Sequence, residues 1–393
     1  MSFAVVNLGC RVNRAESDAI TQKMLLEDTL APLESANKII VNTCTVTGVA
    51  EKKTRKTIRH ILNVNEDASV IVTGCAAQID PEFYKNLSNR IEVVPKFEIL
   101  NKCKTTFKTK REISNKVGTS RVNVKIQDGC DNACTFCIVH VARGKSISYD
   151  PKEIIDKCKK LDEAGVKEIV LTGINLGSYS KPNLPSLLYQ LLDNTKNCRY
   201  RISSIEPPEV TSKLIECIKN SNSRICKHLH LPLQSGSNDV LKAMDRHYNS
   251  DEFLRLVNAI YDEMPNFSLT TDCIVGFPGE SEKDFSQTVE ICKKAHFSKI
   301  HVFPYSKRKN TPATLMPNQI EQNIKKQRAR ALLELSSSLR KQEFLKRVGT
   351  SEQVVIENDN KATTESYFTL KSKDFVNPGQ IMNVELSEAL FFG

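Results

Sequence analysis

The chain has 393 residues, of which 40% are hydrophobic and 26% are charged, a composition typical of ordinary globular proteins. This length predicts two or three domains, each large enough to bury its own core. There is no run of 18 apolar residues, and the start lacks a basic region followed by a long apolar segment, so we expect a cytoplasmic protein with no membrane span. The net charge of +10 favours a polyanionic partner, although a solvated basic surface gives the same count.

The first hundred residues contain three apolar runs with the pattern of β-strands: FAVVNLG, KIIVNT and SVIVTG. Helical stretches separate them, and this alternation predicts a doubly wound parallel sheet over residues 1–105. A cysteine follows each run: Cys10, Cys44 and Cys75. Because the carboxyl ends of parallel strands meet at one sheet edge, where such folds bind ligands, we expect these three thiols to converge. The alternative is three buried structural cysteines.

Three basic strips suggest where a polyanion would bind. Residues 101–125 hold eight Lys or Arg side chains against one Glu, and they are either a solvated linker or a strip that contacts phosphates. Residues 318–348 predict a long helix with eight Lys or Arg and three Glu. The third strip follows Cys44 and contains Lys52, Lys53, Arg55, Lys56 and Arg59.

A second alternation of strands and amphipathic helices occupies residues 119–335. It predicts an incomplete TIM-like barrel of six βα units, with its chemistry at the carboxyl ends of the strands. The strand candidates are VNVKI (122–126), EIVLTG (168–173), YRISSI (200–205), HLHLPL (228–233), LTTDCIVG (269–276) and KIHVFPY (299–305). Residues 345–393 then hold short β-like runs separated by Asn, Pro and Gly, which predicts a small terminal β-barrel.

Cys130, Cys134 and Cys137 form a C-x3-C-x2-C array directly after the first predicted barrel strand. A disulfide would strain so tight a loop, and clustered thiolates at this spacing suit an iron–sulfur cluster. A zinc ion held by these thiols and His140 is the competing interpretation. If the array holds a four-iron cluster, three protein ligands leave one iron open for a small molecule.

The segment GCDNACTFCIVHVARG resembles the signature of the radical S-adenosylmethionine (SAM) superfamily, and Phe136 before the last cysteine matches that signature as well. The resemblance implies that the open iron binds SAM, and that an electron from the cluster cleaves SAM to a 5′-deoxyadenosyl radical. The cofactor supplies this chemistry, whereas the protein supplies orientation and exclusion of water.

The two cysteine triads, in this order in one chain, resemble the methylthiotransferase family of radical SAM enzymes over essentially the whole length. The resemblance implies a second [4Fe-4S] cluster on Cys10, Cys44 and Cys75, followed by a radical SAM domain and a small RNA-binding barrel of the TRAM type. It also implies insertion of sulfur at an unactivated C–H bond and methylation of that sulfur. An electron donor and a sulfur source are then required as partners.

Several segments resemble the branch of this family that modifies C2 of N6-threonylcarbamoyladenosine (t6A) at position 37, in the anticodon stem-loop of tRNA. They are GCRVNRAES, LTGINLGSYS, RISSIEPPEV, HLHLPLQSGSNDVL and VFPYSKRKNTPA. The branch that modifies isopentenyladenosine usually opens with GCQMN, and the branch that modifies a ribosomal protein aspartate usually opens with GC-P-KN. Both branches remain alternatives, and a zinc-stabilised RNA-binding protein without catalysis is the alternative from another class.

The resemblance also assigns residues that contact SAM. Thr172 and Gly173 match a turn beside the methionine amino group, and Ile274 and Gly276 resemble the strand along the adenine. The full set is Phe136, Thr172, Gly173, Glu206, Gln234, Ile274 and Gly276. Packing at a strand end or in a turn is the alternative for each of them. No catalytic side chain is assigned beyond the cluster ligands.

Overall fold

In the computed structural model, which describes residues 1–101 and 120–393, the first range forms a parallel five-stranded sheet. Its elements are β1 (Ser2–Asn7), α1 (Arg11–Met24), β2 (Thr29–Leu30), β3 (Lys38–Thr43), α2 (Gly48–Val64), β4 (Ser69–Gly74), α3 (Cys75–Ile79), α4 (Pro81–Lys85), β5 (Ile91–Val93) and α5 (Lys96–Asn101). The strand order is β2-β1-β3-β4-β5. The parallel α/β structure predicted for this region is confirmed.

Alternating apolar residues explain why the long strands occupy the centre of this sheet. In β3 and β4, the side chains of Ile39, Val41, Val70 and Val72 are fully buried. They belong to one core with Ile58 on the apolar face of α2. Strands β2 and β5, which were not predicted, have two and three residues and lie at the two edges. Runs this short carry too few side chains to show a pattern.

The central region has six parallel strands, among the described residues, that pair in two groups of three. Its elements are β6 (Val122–Lys125), β7 (Gln127–Asp128), α6 (Val139–Arg143), β8 (Ile147–Ser148), α7 (Pro151–Glu163), β9 (Glu168–Thr172), α8 (Leu184–Asn194), β10 (Arg199–Ile202), α9 (Ser212–Lys219), β11 (His228–His230), α10 (Asn238–Ala243), α11 (Ser250–Glu263), β12 (Ser268–Val275), α12 (Glu282–Lys294) and β13 (Lys299–Pro304). The groups are β6-β9-β10 and β11-β12-β13, and single bridges such as that between Ser204 and His230 join them.

The predicted strand HLHLPL is shorter in the structure than its sequence pattern indicated. Strand β11 ends at His230, and Pro232 lies two residues further on. Proline has no N–H group for a ladder hydrogen bond, so regular pairing stops before it. Gln234 then adopts a left-handed backbone with φ of 61°, and its N–H donates to the Asp272 carbonyl at 2.8 Å. The position of Gln234 therefore depends on a turn rather than on the end of a strand.

The basic helix predicted over residues 318–348 is present as α13 (Gln322–Leu345), but half of the basic side chains in this stretch are buried. The buried ones are Lys325, Arg328, Arg340 and Arg347. Arg328, for example, pairs with Glu280 at 2.7 Å. The basic strip over residues 318–348 therefore offers fewer cations to phosphates than predicted. The predicted strip over residues 101–125 lies mostly outside the described residues. Neither α13 nor any other described helix is long and apolar enough to cross a membrane.

Residues 351–385 form four antiparallel strands: β14 (Ser351–Ile356), β15 (Lys361–Thr364), β16 (Thr369–Lys371) and β17 (Ile381–Glu385). Their order is β16-β15-β14-β17. Phe344, near the end of α13, packs with Val354, Phe368 and Leu370, and all four side chains are fully buried. The last helix and the terminal sheet therefore share one core.

A buried arginine of the central region, itself held in an ion pair, joins the terminal sheet to that region. Arg201, on β10, pairs with Glu168 of β9 at 2.8 Å, and neither side chain is exposed. The Arg201 guanidinium also donates to the carbonyl oxygens of Thr364 and Glu365, at 2.9 and 3.1 Å. Burial alone would raise the pKa of Glu168, but Arg201 and Arg199 outweigh it and hold that pKa well below its usual range. The docked position of the terminal sheet thus depends on a buried charge.

Replacing Arg201 with methionine should destabilise the protein. The change leaves the buried Glu168 carboxylate without one of its arginine partners, a loss that costs about 3–5 kcal/mol. We expect a clear fall in the midpoint of thermal unfolding. Lys219→Met is the matched control, because it breaks an exposed ion pair with Glu263, and exposed pairs contribute little. Equal shifts in the two variants would contradict the structural role of Arg201.

Candidate active site

A tight loop after β7 carries the three cysteines of the local array: Cys130, Cys134 and Cys137. The Cys130 N–H donates to the Gly144 carbonyl at 3.1 Å, which closes the loop. Gly129 opens it with φ of 72°, and a Cβ atom there would lie 1.9 Å from the Lys145 carbonyl oxygen. Only glycine fits where the backbone passes this close. The loop geometry therefore depends on residues beside the cysteines as well as on their spacing.

The three thiols of this loop influence one another. Burial raises the pKa of Cys130 to about 11 and that of Cys137 to about 12, and the Cys134 sulfur adds to both shifts. Arg246 donates to Cys134 Sγ at 3.2 Å and pairs with Glu206. A cation beside a sulfur favours the thiolate, which is the form that binds metal. The three thiols of the loop are thus largely shielded from water, and the Arg246 guanidinium supplies one positive charge beside them.

The other three cysteines follow neighbouring parallel strands. Cys10 follows β1 and is the N-cap of α1, Cys44 follows β3, and Cys75 begins α3 directly after β4. These strands are adjacent in the order β1-β3-β4. Burial raises the pKa of Cys75 to about 11, with smaller contributions from Cys10 and Cys44. Thiols from distant parts of the chain therefore lie at one edge of the sheet.

Next to these thiols, a buried charge network crosses from the N-terminal sheet to the central region. Arg143 of α6 lies 2.9 Å from Glu16 of α1 and 2.8 Å from Asp128 of β7. Lys125 lies 2.7 Å from Glu16 and 2.6 Å from Asp128, and Lys96 also pairs with Asp128. None of the five side chains is more than 10% exposed. Three cations face two carboxylates, so the network carries one excess positive charge.

This excess charge favours a negatively charged group on the nearby thiols. Burial lowers the pKa of Arg143, but Cys75, the two network carboxylates and Cys10 raise it well above its usual value. At the other end of the network, burial and Arg143 lower the pKa of Lys96. A four-iron cluster on three thiolates is an anion, and on Cys10, Cys44 and Cys75 it would balance the network. The donor set and its surroundings therefore fit an iron–sulfur cluster.

A cavity of about 730 Å³, a volume usual for small-molecule sites, joins the two sets of thiols. Its wall includes all three cysteines of the loop and Cys10 of the second set, whereas Cys44 and Cys75 are buried and do not line it. Six of the residues assigned to SAM contacts line it: Phe136, Thr172, Gly173, Glu206, Gln234 and Ile274. Gly276 does not, because β12 ends at Val275 and the Gly276 N–H turns to Glu280.

The alternative of a zinc ion depends on His140. Its Nδ1 atom is buried without a hydrogen-bond partner among the described residues, and the side chain does not line the cavity that the loop thiols line. Within residues 1–101 and 120–393, no group of three or more His, Cys, Asp or Glu side chains is arranged to hold a metal ion. A four-iron cluster places each thiolate on a separate iron, so its ligands do not meet around a single ion.

The cavity also has polar residues that the sequence did not single out. His228 Nε2 and His230 Nδ1, both from β11, lie 2.9 Å from the Thr270 hydroxyl. Tyr367 reaches the same wall from the terminal sheet and stacks on His228, with 4.5 Å between ring centroids. Side chains alternate between the two faces of a strand, so the sequence HLH is enough to predict that both histidines lie on one face of β11. Nothing local indicates Tyr367, because its position depends on how the terminal sheet docks.

Glu209, beside the local thiols, should make stability depend on pH. Burial raises the pKa of its carboxyl group to about 7, and its Oε2 atom has no hydrogen-bond partner among the described residues. The folded protein prefers the neutral acid. Its stabilising contribution is therefore complete below the ordinary pKa of 4.5 and is lost as the pH rises through about 7.

We expect Glu209→Gln to unfold at a higher temperature than the wild-type protein near pH 8, because the amide stays neutral, with the difference vanishing near pH 5 (both values approximate). Thermal unfolding across this range is the measurement. Glu216→Gln, on the exposed face of α9, is the control and should show no such dependence. A difference that stays constant with pH would show that the Glu209 carboxyl group is not the titrating group.

Two family models match the chain on either side of the residues that the structure leaves undescribed. Residues 124–292 match the radical SAM superfamily, and residues 2–96 match a group described as uncharacterized protein family UPF0004. Each range contains one of the two cysteine sets. The boundary between the matches agrees with the boundary between the N-terminal sheet and the central region.

Curated relatives extend the similarity over most of the chain. The threonylcarbamoyladenosine tRNA methylthiotransferase MtaB of Bacillus subtilis (strain 168) is 38% identical over 87% of this chain and 81% of its own length. A protein of the same name from Chlamydia pneumoniae is 36% identical over 91% and 87% of the two chains. A tRNA-2-methylthio-N(6)-dimethylallyladenosine synthase from Clostridium tetani is 31% identical over 100% and 95%.

Solved structures agree on the fold. The radical SAM methyltransferase TsrM from Kitasatospora setae superimposes with a TM-score of 0.57 at 13% identity, over 80% of this chain and 75% of its own. At this identity the match concerns the fold alone, whereas the curated relatives share sequence along nearly the whole chain. The chain therefore belongs to the radical SAM methylthiotransferase family.

Proposed function

We propose that this protein is an enzyme that attaches a methylthio group to C2 of t6A at position 37 of tRNA. One observation carries the proposal: the loop thiols and Cys10 of the second set line the same cavity, so a carbon held there faces both sets. Of the relatives described, the two named for threonylcarbamoyladenosine are 38% and 36% identical, and the Clostridium tetani protein named for dimethylallyladenosine is 31% identical. This order favours t6A over isopentenyladenosine.

Radical SAM methylthiotransferases use SAM and two [4Fe-4S] clusters, and this chain has two sets of three free cysteines. We assign the first cluster to Cys130, Cys134 and Cys137, and the second to Cys10, Cys44 and Cys75. When bound, the clusters and SAM supply the radical that opens the C–H bond and the sulfur that replaces the hydrogen. The chain itself binds, orients and shields the reactants.

Residues beside the first set hold the loop and shape the space for SAM. The Thr135 hydroxyl donates to the Ala243 carbonyl at 2.8 Å, which ties the loop to the end of α10. Arg246 compensates the charge of a Cys134 thiolate while Glu206 keeps the guanidinium in place. Apolar contacts around Phe136 exclude water from this wall. We assign the SAM contacts to the six predicted residues that line the cavity: Phe136, Thr172, Gly173, Glu206, Gln234 and Ile274.

On the opposite wall, Cys10 presents the second set to the cavity. Asn13, in the first turn of α1, donates from its side-chain amide to the Thr43 carbonyl at 3.0 Å and to Asn42 Oδ1 at 2.9 Å. These bonds connect the start of α1 to the end of β3. They fix the position of Cys10 relative to Cys44, so that a sulfur carried on this set has a defined place beside the substrate carbon.

The surface around the start of α2 fits the phosphates of an anticodon loop. Thr47, the N-cap of α2, lines the cavity. The helix then exposes four of the five predicted cations: Lys52, Lys53, Lys56 and Arg59. Arg55 differs, because it pairs with Glu51. A base can leave the stack of a loop and enter a pocket without melting a duplex, while cations at the mouth hold its flanking phosphates.

The same proposal extends to the domains and the partners. We propose a methylthiotransferase domain over 1–105, a radical SAM domain over 119–335 in the form of an open TIM-like barrel, and a short TRAM-like RNA-binding domain over 345–393. The six central strands pair in chain order, which supports the open barrel. An electron donor and a sulfur source complete the reaction. We also propose a cytoplasmic location, which a tRNA substrate supports.

Two cysteine variants should separate the two halves of the reaction. Cys10→Ala removes a ligand of the second cluster, so we expect SAM cleavage to continue while methylthiolation of t6A-containing RNA is lost. Cys134→Ala removes a ligand of the first cluster, so SAM cleavage itself should stop. Anaerobically purified wild-type protein should be brown and hold about eight irons, falling to about four in each variant.

Cys198→Ala is the control, because Cys198 is buried outside both sets, and it should keep both clusters and both reactions. Methylthiolated product from Cys10→Ala would rule out the role of the second set. Colourless wild-type protein loaded with zinc would support the non-catalytic RNA-binding alternative. Thiolation of isopentenyladenosine RNA or of a ribosomal protein, but not of t6A, would support the other two branches of the family.

A further inference from the structure

Among the described residues, three arginines line the cavity, and two of them are paired with carboxylates. Arg246 pairs with Glu206, and Arg308 lies 2.7 Å from Glu51. Arg11, the first residue of α1, forms no ion pair with a carboxylate in the part of the chain that the structure describes, and its side-chain bond goes to a tyrosine. An uncompensated cation in a partly closed cavity favours an anionic ligand.

Tyr367 of the terminal sheet holds Arg11 in place. The guanidinium donates to Tyr367 Oη and lies 5.5 Å from the centre of the ring, which stacks in turn on His228. Tyr367 has φ of 70°, a left-handed backbone that bulky residues rarely adopt. Backbone strain of this kind persists where the surroundings over-determine it, often at ligand sites. A guanidinium has five N–H donors, so the bond to Tyr367 leaves donors for a bidentate contact.

The proposed substrate has an anionic group that matches this cation. The threonylcarbamoyl group of t6A ends in a free carboxylate, whereas a dimethylallyl group is an uncharged hydrocarbon. N6, which carries the group, and C2, which receives the sulfur, both lie on the Watson–Crick edge of adenine. Arg11 directly follows Cys10, so an adenine with C2 toward Cys10 brings its N6 substituent to the wall that carries Arg11.

We propose that Arg11 binds the carboxylate of the threonylcarbamoyl group, and that Tyr367 positions Arg11 for this contact. The inference rests on the proposed function and adds the physical basis of substrate choice. An arginine–carboxylate pair is charge-assisted and fixed in geometry, so it rewards an acidic substituent over a neutral one. Asp272, an acidic group on the cavity wall, lies 3.3 Å from His230 and so has a partner other than Arg11.

The direct test measures the binding of two anticodon stem-loop RNAs to the holoenzyme, one with t6A and one with its methyl ester, which lacks the charge. We expect wild-type enzyme to bind the ester about 10- to 100-fold more weakly, because the charge-assisted pair is lost. Arg11→Gln should bind both RNAs alike, near the affinity of the wild type for the ester. Arg11→Lys should recover part of the preference, because it restores the charge without the planar fork.

Two further variants separate positioning from general charge. Tyr367→Phe keeps the ring but removes the hydroxyl group that accepts a hydrogen bond from Arg11. KM for t6A RNA should therefore rise several-fold, roughly the effect of one lost hydrogen bond. KM for the ester RNA should stay the same. Arg14→Gln is the matched control, because Arg14 is an exposed cation on the same helix and pairs with Asp18. It should keep the full preference for the acid.

Iron content is measured for every variant, so that loss of the neighbouring cluster is recognised. The comparison of acid and ester RNA on the wild-type enzyme tests the inference without any variant. Equal affinity of the wild type for both RNAs, together with methylthiolation of t6A, would overturn the inference and leave the proposed function standing. A wild-type holoenzyme that does not methylthiolate t6A RNA would overturn the proposed function, and the inference with it.

Discussion

The buried contact of Arg143 with Glu16 and Asp128 is the constraint on which the site depends. Glu16 lies six residues after Cys10, and Arg143 lies six residues after Cys137, so the contact ties one cysteine set to the other. Removing one partner from such a buried group leaves an uncompensated charge, at a cost of about 3–5 kcal/mol. The three loop thiols and Cys10 face one cavity, and the segments that carry the two cysteine sets share one ion network.

The same network is electrostatically incomplete without an anion. Lys125 and Lys96 join Arg143, and only two carboxylates oppose these three cations. In the proposed assignment, a cluster on Cys10, Cys44 and Cys75 would lie beside Arg143 and would supply the missing negative charge. Under this assignment, cluster binding and the packing of the N-terminal sheet on the central region would be coupled through Arg143.

Sequence spacing was informative wherever the site depends on local structure. The C-x3-C-x2-C array marked the loop, and cysteines placed after β1, β3 and β4 had to lie on one edge because parallel strands end on the same side. Contacts between regions that are distant in the chain have no such pattern in the sequence. Tyr367 reaches the cavity only because the terminal sheet docks on Arg201. Arg328 resembled a free surface cation in the sequence, since a charge pattern cannot distinguish an exposed residue from one buried against Glu280.

The claim that one cavity serves both thiol sets is tested most directly by following the hydrogen on C2. Reconstituted enzyme receives SAM, a reductant and an anticodon stem-loop RNA whose t6A carries deuterium at C2, and the products are analysed by mass spectrometry. The account predicts a methylthio group on t6A, no deuterium at C2, and deuterium in the 5′-deoxyadenosine formed from SAM. Methylthiolated t6A formed without deuterium in the 5′-deoxyadenosine, or t6A that stays unmodified, would contradict it.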